Sequence, residues 1–541
     1  MRKVLVAMLA ASLAGMPGYA WAQSTPFIID QSRPDRARIA PAPKEAPIAP
    51  LPAEQALAGI KPFVLKSVAI KGSSLPPAAL ANATRSFIGK TIDANALGEI
   101  ADAVSQAYAQ KGDVALYTVA VPEQDFVRGT LILTAVEGYI EHVDLSGDVQ
   151  GRLELVTKYA TGLTKESPLT RSTFQRIISL IRDIPGLTVE AKLLRGNTPG
   201  AVRLLLVLKQ RDWHLTLSAD DMGSNPLGRV QMQARTSLYG LLREGEETAL
   251  TIGLPLEAGR FQYVSLSETQ AIDDNGTSVS GAYGFLRTRP RHSSPAGNAN
   301  TLQFLLSHPL LRSYDENLYF TGSMDGIDSS NATLGEIVAD ERIRALRLSA
   351  SYSSNTAKSA FALSASMNFG LNILGARTTD PLSAETAFKK AVVQASYNRL
   401  LGEEWIVRLR AATQLAFCRL PVSELYALGG ANFASAFASA SAFGDSALAG
   451  SAELAFRPHG LPGLLNGSEV FAFAEDGATW YRRRRALGPF DFHLASAGFG
   501  VRIPFREQTR LELKAANGLS ADAPRVAPGK WRFGFTLVTS P

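Results

Sequence analysis

From residue 212 to residue 541, apolar and polar residues alternate one by one through a series of short segments. In the last of them Trp531, Phe533, Phe535 and Leu537 point one way while Arg532, Gly534 and Thr536 point the other, the two-residue period of a strand. The same split sets Leu511, Leu513 and Ala515 against Arg510, Glu512 and Lys514, and Trp213, Leu215, Leu217 and Ala219 against His214, Thr216, Ser218 and Asp220. It returns at Val230, Met232 and Ala234 against Gln231, Gln233 and Arg235. A soluble sandwich alternates too, but its inner face is dry. Here the polar face carries many Arg, Glu and Gln, which a dry core accepts only at several kcal/mol per unpaired charge, about the cost that a wet barrel lumen avoids. About sixteen such segments can be counted, an even number, as a single-chain transmembrane antiparallel β-barrel requires.

The connections give an independent test. If the first strand runs outward, the inward turns, such as 241–245, 273–276 and 401–403, are short. The outward loops at 289–298, 327–341, 369–388 and 416–445 are long, which is the asymmetry of outer-membrane barrels; the spacer at 457–468 is the exception. At the other end of the chain, Arg2 and Lys3 precede a short apolar run and the small-residue site Ala20-Trp21-Ala22, so residues 1–22 are expected to be a secretory signal peptide. Residues 23–60 form a Pro-rich segment in which Pro26 and Pro34 disfavour a long lumen-plugging helix.

Residues 61–211 change character. A strand near 63–70 ends at Gly72, two helical stretches follow, and the second places Leu97, Ile100, Ala101, Val104 and Tyr108 on one face. Strands near 114–121 and 129–136 close a β-α-α-β-β unit, and the pattern repeats from Tyr139 onward with helices near 151–161 and 168–182. The expected organisation is therefore a first α+β module at 61–138, a second at 139–211 and a barrel at 212–541.

Composition excludes more than it proposes. The single cysteine, Cys418, rules out an internal disulfide or a Cys-rich metal site. Six histidines make no metal-spaced pair, no nucleophile elbow or phosphate-binding Gly-Lys-Ser/Thr loop is present, and a net charge of +6 comes with no nucleic-acid motif. Neither catalysis, nor a cofactor, nor a nucleic-acid partner is expected.

In this setting several short motifs resemble the two-partner secretion transporters, the TpsB family of type Vb secretion, which are related to barrel-assembly insertases. Pro122 and Gln124, then Gly129, then Glu137-Gly138 resemble the family's Pro-x-Gln and Glu-Gly signature in its POTRA (polypeptide-transport-associated) modules. Asp183, Pro185 and Gly186 resemble its helix-ending Asp-x-Pro-Gly. Each also has a structural reading, because Pro-Gly stops a helix and Glu-Gly sits at a tight connection between strands. The resemblance implies two periplasmic POTRA domains that receive an unfolded secreted partner protein, a haemolysin or adhesin, and a monomeric barrel in the Gram-negative outer membrane that exports it without nucleotide. A barrel insertase and a passive pore are the alternatives.

In that family the sixth external loop, near 416–445 here, folds back into the lumen and offers an Arg to an acid on the thirteenth strand. This chain has Phe433, Ser435 and Phe437, then Gly444 and Asp445, with Ser435 where the arginine is expected. The partner strand carries Phe473, Glu475, Asp476 and Gly477, with Glu475 at the acid position. Either a lumenal arginine such as Arg408 or Arg410 satisfies Glu475, or the loop is loosely held. Finally, Arg482-Arg483-Arg484-Arg485 falls outside by parity, next to an aromatic of the outer girdle, where it either binds lipopolysaccharide phosphate or forms a solvated loop.

Overall fold

The computed structural model describes residues 61–541 apart from Val127, 149–152, 222, 224–226, 258, 290–296, 335–336, 379–383, 431–432, 485–488, 506–507 and 524–525. The expected signal peptide and Pro-rich segment, with Arg485, lie outside the described residues. The chain divides into two compact units, one spanning Glu45–Gln210 and the other carrying Arg211–Pro541.

The first unit contains two copies of the β-α-α-β-β module. In the first copy Ser67–Lys71 pairs in parallel with Thr130–Glu137, whose other side pairs antiparallel with Tyr117–Ala120. The strand expected at 63–70 is split: Phe63–Val64 pairs instead with Thr91–Ile92, because the N–H groups of Lys66 and Ser67 both turn to the Gly129 carbonyl (2.7 and 3.3 Å). Helix Ala94–Lys111 starts on Asp93, whose carboxylate accepts from the Ala96 N–H at 2.9 Å, and buries the five residues that the sequence pattern placed on one face. In the second copy Tyr139–Asp148 and Leu187–Arg195 flank the central Ala201–Gln210, with helices Glu154–Ala160 and Arg171–Arg182 packed above.

The two copies are joined by more than chain. Arg171 donates to the Ala109 and Tyr108 carbonyls at the end of helix Ala94–Lys111 (2.9 and 3.3 Å), where a cation complements the helix dipole. Ser172 N–H and Oγ both bind the Asp113 carboxylate (3.0 and 2.7 Å).

The second unit is a closed barrel of sixteen antiparallel strands from Trp213–Asp220 to Trp531–Thr539, which pair with each other from Thr536↔Asp220 to Thr539↔Leu217. Its outer face is the apolar one. On the sixth strand, Gly297–Arg312, Leu302, Phe304 and Leu306 stand outward and exposed while Thr301 and Gln303 face inward and are buried. Lipid covers the first set, and neighbouring strands of the wall pair along their lengths, as a hydrocarbon surround demands, with the seam between the first and last strands the short exception at four residue pairs. The loop expected at 327–341 is largely strand. The seventh and eighth strands, Glu316–Leu334 and Ile337–Asn355, keep pairing with each other to Leu334↔Ile337 after the sixth strand's last partner at Ser330.

Candidate functional site

Between the eleventh strand, Trp405–Ala416, and the twelfth, Ser446–Phe456, the chain turns inward and brings its tip into the barrel. Tyr426–Leu428 and Ala442–Gly444 form a short antiparallel stem. Between them Gly429 and Gly430 take φ of 106° and 86°, and Ala434 takes φ of 59°, a left-handed conformation that a Cβ-bearing residue keeps only when surroundings enforce it. The next residue is Ser435. Phe433, Ala434, Ser435 and Phe437 are all buried.

The thirteenth strand, Glu469–Tyr481, alternates strictly, with Glu469, Phe471, Phe473, Glu475, Gly477, Thr479 and Tyr481 inward. Glu475 therefore meets the loop tip. Its carboxylate accepts from the Ser435 N–H at 2.6 Å, the Ser435 hydroxyl at 3.0 Å and the Ser496 hydroxyl at 3.0 Å. Arg410 approaches the same carboxylate at 3.6 Å and lies over the Phe433 ring. Lys514, on the fifteenth strand Thr509–Ala521, donates to Ser435 Oγ at 2.9 Å and lies over Phe473, 5.4 Å from the ring centre. The positive charge missing from the loop tip is thus supplied by the wall, from two sides, with the serine hydroxyl as the bridge.

Arg408 is not part of this arrangement. It binds Glu453 at 2.7 Å and Glu469 at 2.8 Å, within a cluster that also holds Arg457, Arg502 and Glu512 lower in the lumen. Asp476 lies on the opposite, lipid-side face, its side chain exposed, and reaches His493 at 2.7 Å, so it makes no contact with the loop. Gly477 has a steric role: a Cβ there would stand 2.7 Å from Leu428 of the stem. Gly518 does the same for Phe437, and the Phe437 carbonyl accepts from Arg532 at 2.6 Å. Gly444 leaves no room for a side chain either, because a Cβ would sit 2.8 Å from the Trp480 nitrogen.

The base of the loop is held by three buried acids, Asp445, Glu424 and Glu341. Asp445 is fully buried and accepts from Leu420 N–H (2.7 Å), Arg482 N–H (2.8 Å) and both terminal nitrogens of Arg484 (2.8 and 3.0 Å). Arg484 also stacks on Tyr481 and is itself buried, so within the arginine run it is a loop anchor, unavailable to lipid. Glu424 is gripped by Arg347 at 2.6 Å and Lys390 at 2.9 Å, with Arg347 also bidentate to Asp325 (2.7 and 3.1 Å). Glu341 accepts from Val422 and Ser423 N–H (2.9 and 3.2 Å). Sequence reasoning had not singled out Arg347, Lys390, Glu424, Glu341 or Lys514. The available signal was a charge at an inward position of an otherwise regular strand, as at Arg347 beside Ile343 and Ala345.

In the first unit the signature residues serve the fold. Gln124 mimics a strand: its amide donates to the Ile132 carbonyl and accepts from the Ile132 N–H, both at 2.7 Å, and also reaches the Pro122 carbonyl at 3.1 Å. Glu137 accepts from Ser74 N–H at 2.5 Å and the Tyr108 hydroxyl at 2.7 Å; burial raises the Tyr108 phenol well above its ordinary value. Gly138 and Gly129 sit where a Cβ would lie 2.9 Å from Leu116 and 2.6 Å from the Val64 carbonyl. Asp183 ends helix Arg171–Arg182, and Pro185 with Gly186 (φ 75°) turns the chain into the next strand.

Two family models match the chain. Residues 63–138 match the POTRA domain of ShlB type, and residues 273–503 match the haemolysin secretion/activation protein ShlB/FhaC/HecB. Among solved structures, CdiB from Escherichia coli is similar at 18% identity over 92% of this chain and 94% of its own, with a TM-score of 0.65. CdiB from Acinetobacter baumannii is similar at 15% identity over 100% and 99%, with a TM-score of 0.59. BamA from Haemophilus ducreyi lacking POTRA domains 1–3 is similar at 14% identity over 88% and 100%, with a TM-score of 0.52. At these identities the likeness to solved structures is one of fold. No curated protein sequence matches the chain.

Proposed function

The chain belongs to the ShlB/FhaC/HecB family, the outer-membrane transporters of two-partner secretion, and from that premise we propose that the loop tip at Ser435 and Glu475 is the gate its exported partner must displace. The partner arrives in the periplasm unfolded and is a large protein of haemolysin or adhesin kind. It docks by adding a strand to an open sheet edge of the two modules. Ser67–Lys71 and Leu187–Arg195 are such edges, whereas the side of Thr130–Glu137 beyond Tyr117–Ala120 is occupied by the Gln124 amide. The barrel acts as a monomer, performs no catalysis, needs no cofactor or metal, and meets phosphorylated lipid at its outer rim.

The observation that carries this reading is the closure itself: a loop tip buried in the lumen and tied to a wall carboxylate by hydrogen bonds rather than by packing alone. Such bonds, worth about 1.5–3 kcal/mol each to a charged acceptor, hold a gate yet release it when a client competes. The test is a reversible tether. In a Cys418→Ser background, Ser435→Cys and Ser496→Cys place two thiols within reach of one carboxylate, and a short bis-methanethiosulfonate joins them through two disulfides, releasing sulfinate at each, which a reductant cleaves. Export should stop on tethering and return on cleavage; export unaffected by the tether would exclude the gate.

A further inference from the structure

On the outer rim of the eleventh to fourteenth strands, the last of these Phe490–Phe505, a cavity of 960 Å³ opens beside the lipid-facing surface. Its apolar floor includes Phe417 and Trp480, both exposed on the outward face, with the outward Ser446 paired opposite Trp480. Its cations are Arg419, Arg482 and Arg483. They are not equivalent. Arg419 is engaged by Glu385 at 3.3 Å. Arg482 spends one terminal nitrogen on the Ala416 carbonyl at 2.6 Å, which fixes its plane and leaves the rest of its donor fork free. Arg483 is exposed and has no partner among the described residues.

We infer that this cavity binds the phosphorylated headgroup of an outer-leaflet glycolipid. The inference rests on the outer-membrane placement of the barrel but not on what the barrel transports. Three features argue for that occupant. Two neighbouring guanidinium groups with free forks match phosphate oxygens in bidentate fashion. Trp480 and Phe417 sit where aromatic residues of barrels meet the headgroup layer, so acyl chains continue down over the outward Leu448 and Leu415. Asp491 and Glu385 add carboxylate acceptors at the cavity wall, which suit sugar hydroxyls and would repel a bare anion.

The site lies back to back with the loop anchor. The Arg482 peptide whose side chain faces the cavity donates its N–H to Asp445, and Arg484 two residues later closes the same carboxylate. A bound headgroup therefore stiffens the segment that holds the base of the gate. Cys418, half-buried in the cavity wall, is a built-in reporter.

The test uses the purified full chain, with folding of each variant verified by heat-modifiable gel mobility. Bisphosphorylated lipid A is titrated against the Cys418 maleimide-labelling rate and, separately, followed by native mass spectrometry. The expected result is saturable protection of Cys418 in the parent, at least a tenfold loss of apparent affinity in Arg482→Gln/Arg483→Gln, and no change in Arg243→Gln on the opposite rim. Equal binding by the double variant would overturn the inference. So would equal protection by inorganic phosphate, which would mean an anion site, or by phosphatidylethanolamine, which would mean a general acyl surface. Since no readout involves export, a failed gate and a failed lipid site are distinguishable.

Discussion

Replacing Ser435 with alanine removes one hydroxyl and keeps the backbone N–H that donates to Glu475 at 2.6 Å. The lost bond joins a neutral donor to a carboxylate, so the docked loop should be destabilised by about 2 kcal/mol, or about 30-fold in the docked-to-released ratio. Glu475→Ala removes the acceptor of three donors and takes from Arg410 its nearby anion and from the Lys514-bound serine hydroxyl its acidic partner, so its cost should be larger, about 3–5 kcal/mol. With Glu475 gone the serine hydroxyl has lost its acidic partner, and the double variant should cost no more than Glu475→Ala alone. Planar-bilayer conductance of the reconstituted protein measures this directly, as the ratio of time in high- and low-conductance states. A silent Ser435→Ala, or single effects that simply add, would refute the arrangement.

Other expectations follow from the same geometry. Ser435→Arg should loosen the loop, since Arg410 and Lys514 already supply the charge, and Lys514→Met should relieve it; conductance checks both. Asp445→Ala strands the buried Arg484 and should cost about 3–5 kcal/mol at the loop base, seen as proteolysis between 420 and 445 on intact cells. Glu137→Ala should weaken the first module by about 2–3 kcal/mol, read by hydrogen exchange of residues 61–210 in the full chain. Burial alone would raise Glu166, yet the hydroxyls of Thr173 and Thr170 and the Thr170 N–H hold its carboxyl below the ordinary value. That contribution is present above the unfolded carboxyl pKa of about 4.5 and is lost as pH falls through the lower folded value. Exchange at the start of helix Arg171–Arg182, corrected for intrinsic rate, should therefore rise on acidification in the parent and stay flat in Glu166→Gln.

Much of the wall was legible because lipid and lumen impose opposite chemistries on neighbouring residues, as at Trp531 through Leu537. That signal fades where both faces meet water. Residues 327–341 lack a regular alternation of apolar and polar positions and look like a loop, yet the seventh and eighth strands keep their ladder there to Leu334↔Ile337. The gate was legible in part. The position of Glu475 follows from parity along its strand, but Lys514 reaches Ser435 only because the closed barrel brings the fifteenth strand round to the in-folded loop, a relation with no local sequence trace. Arg408 and Arg410 are two residues apart on one inward face, and depth alone sends the first to Glu453 and Glu469 and the second to Glu475. Arg484 was hidden in a run of like residues, since burial beside Asp445 and Tyr481 depends on how the rim closes over the loop.

The central claim, that this barrel exports a dedicated partner, is tested most directly by comparing the medium, cell-surface and outer-membrane proteomes with the intact chain and with residues 61–210 deleted. The account expects one large exported protein to disappear from the medium and surface while the truncated barrel and the other outer-membrane proteins remain. Unchanged export, or a general loss of outer-membrane barrels in its place, would contradict it.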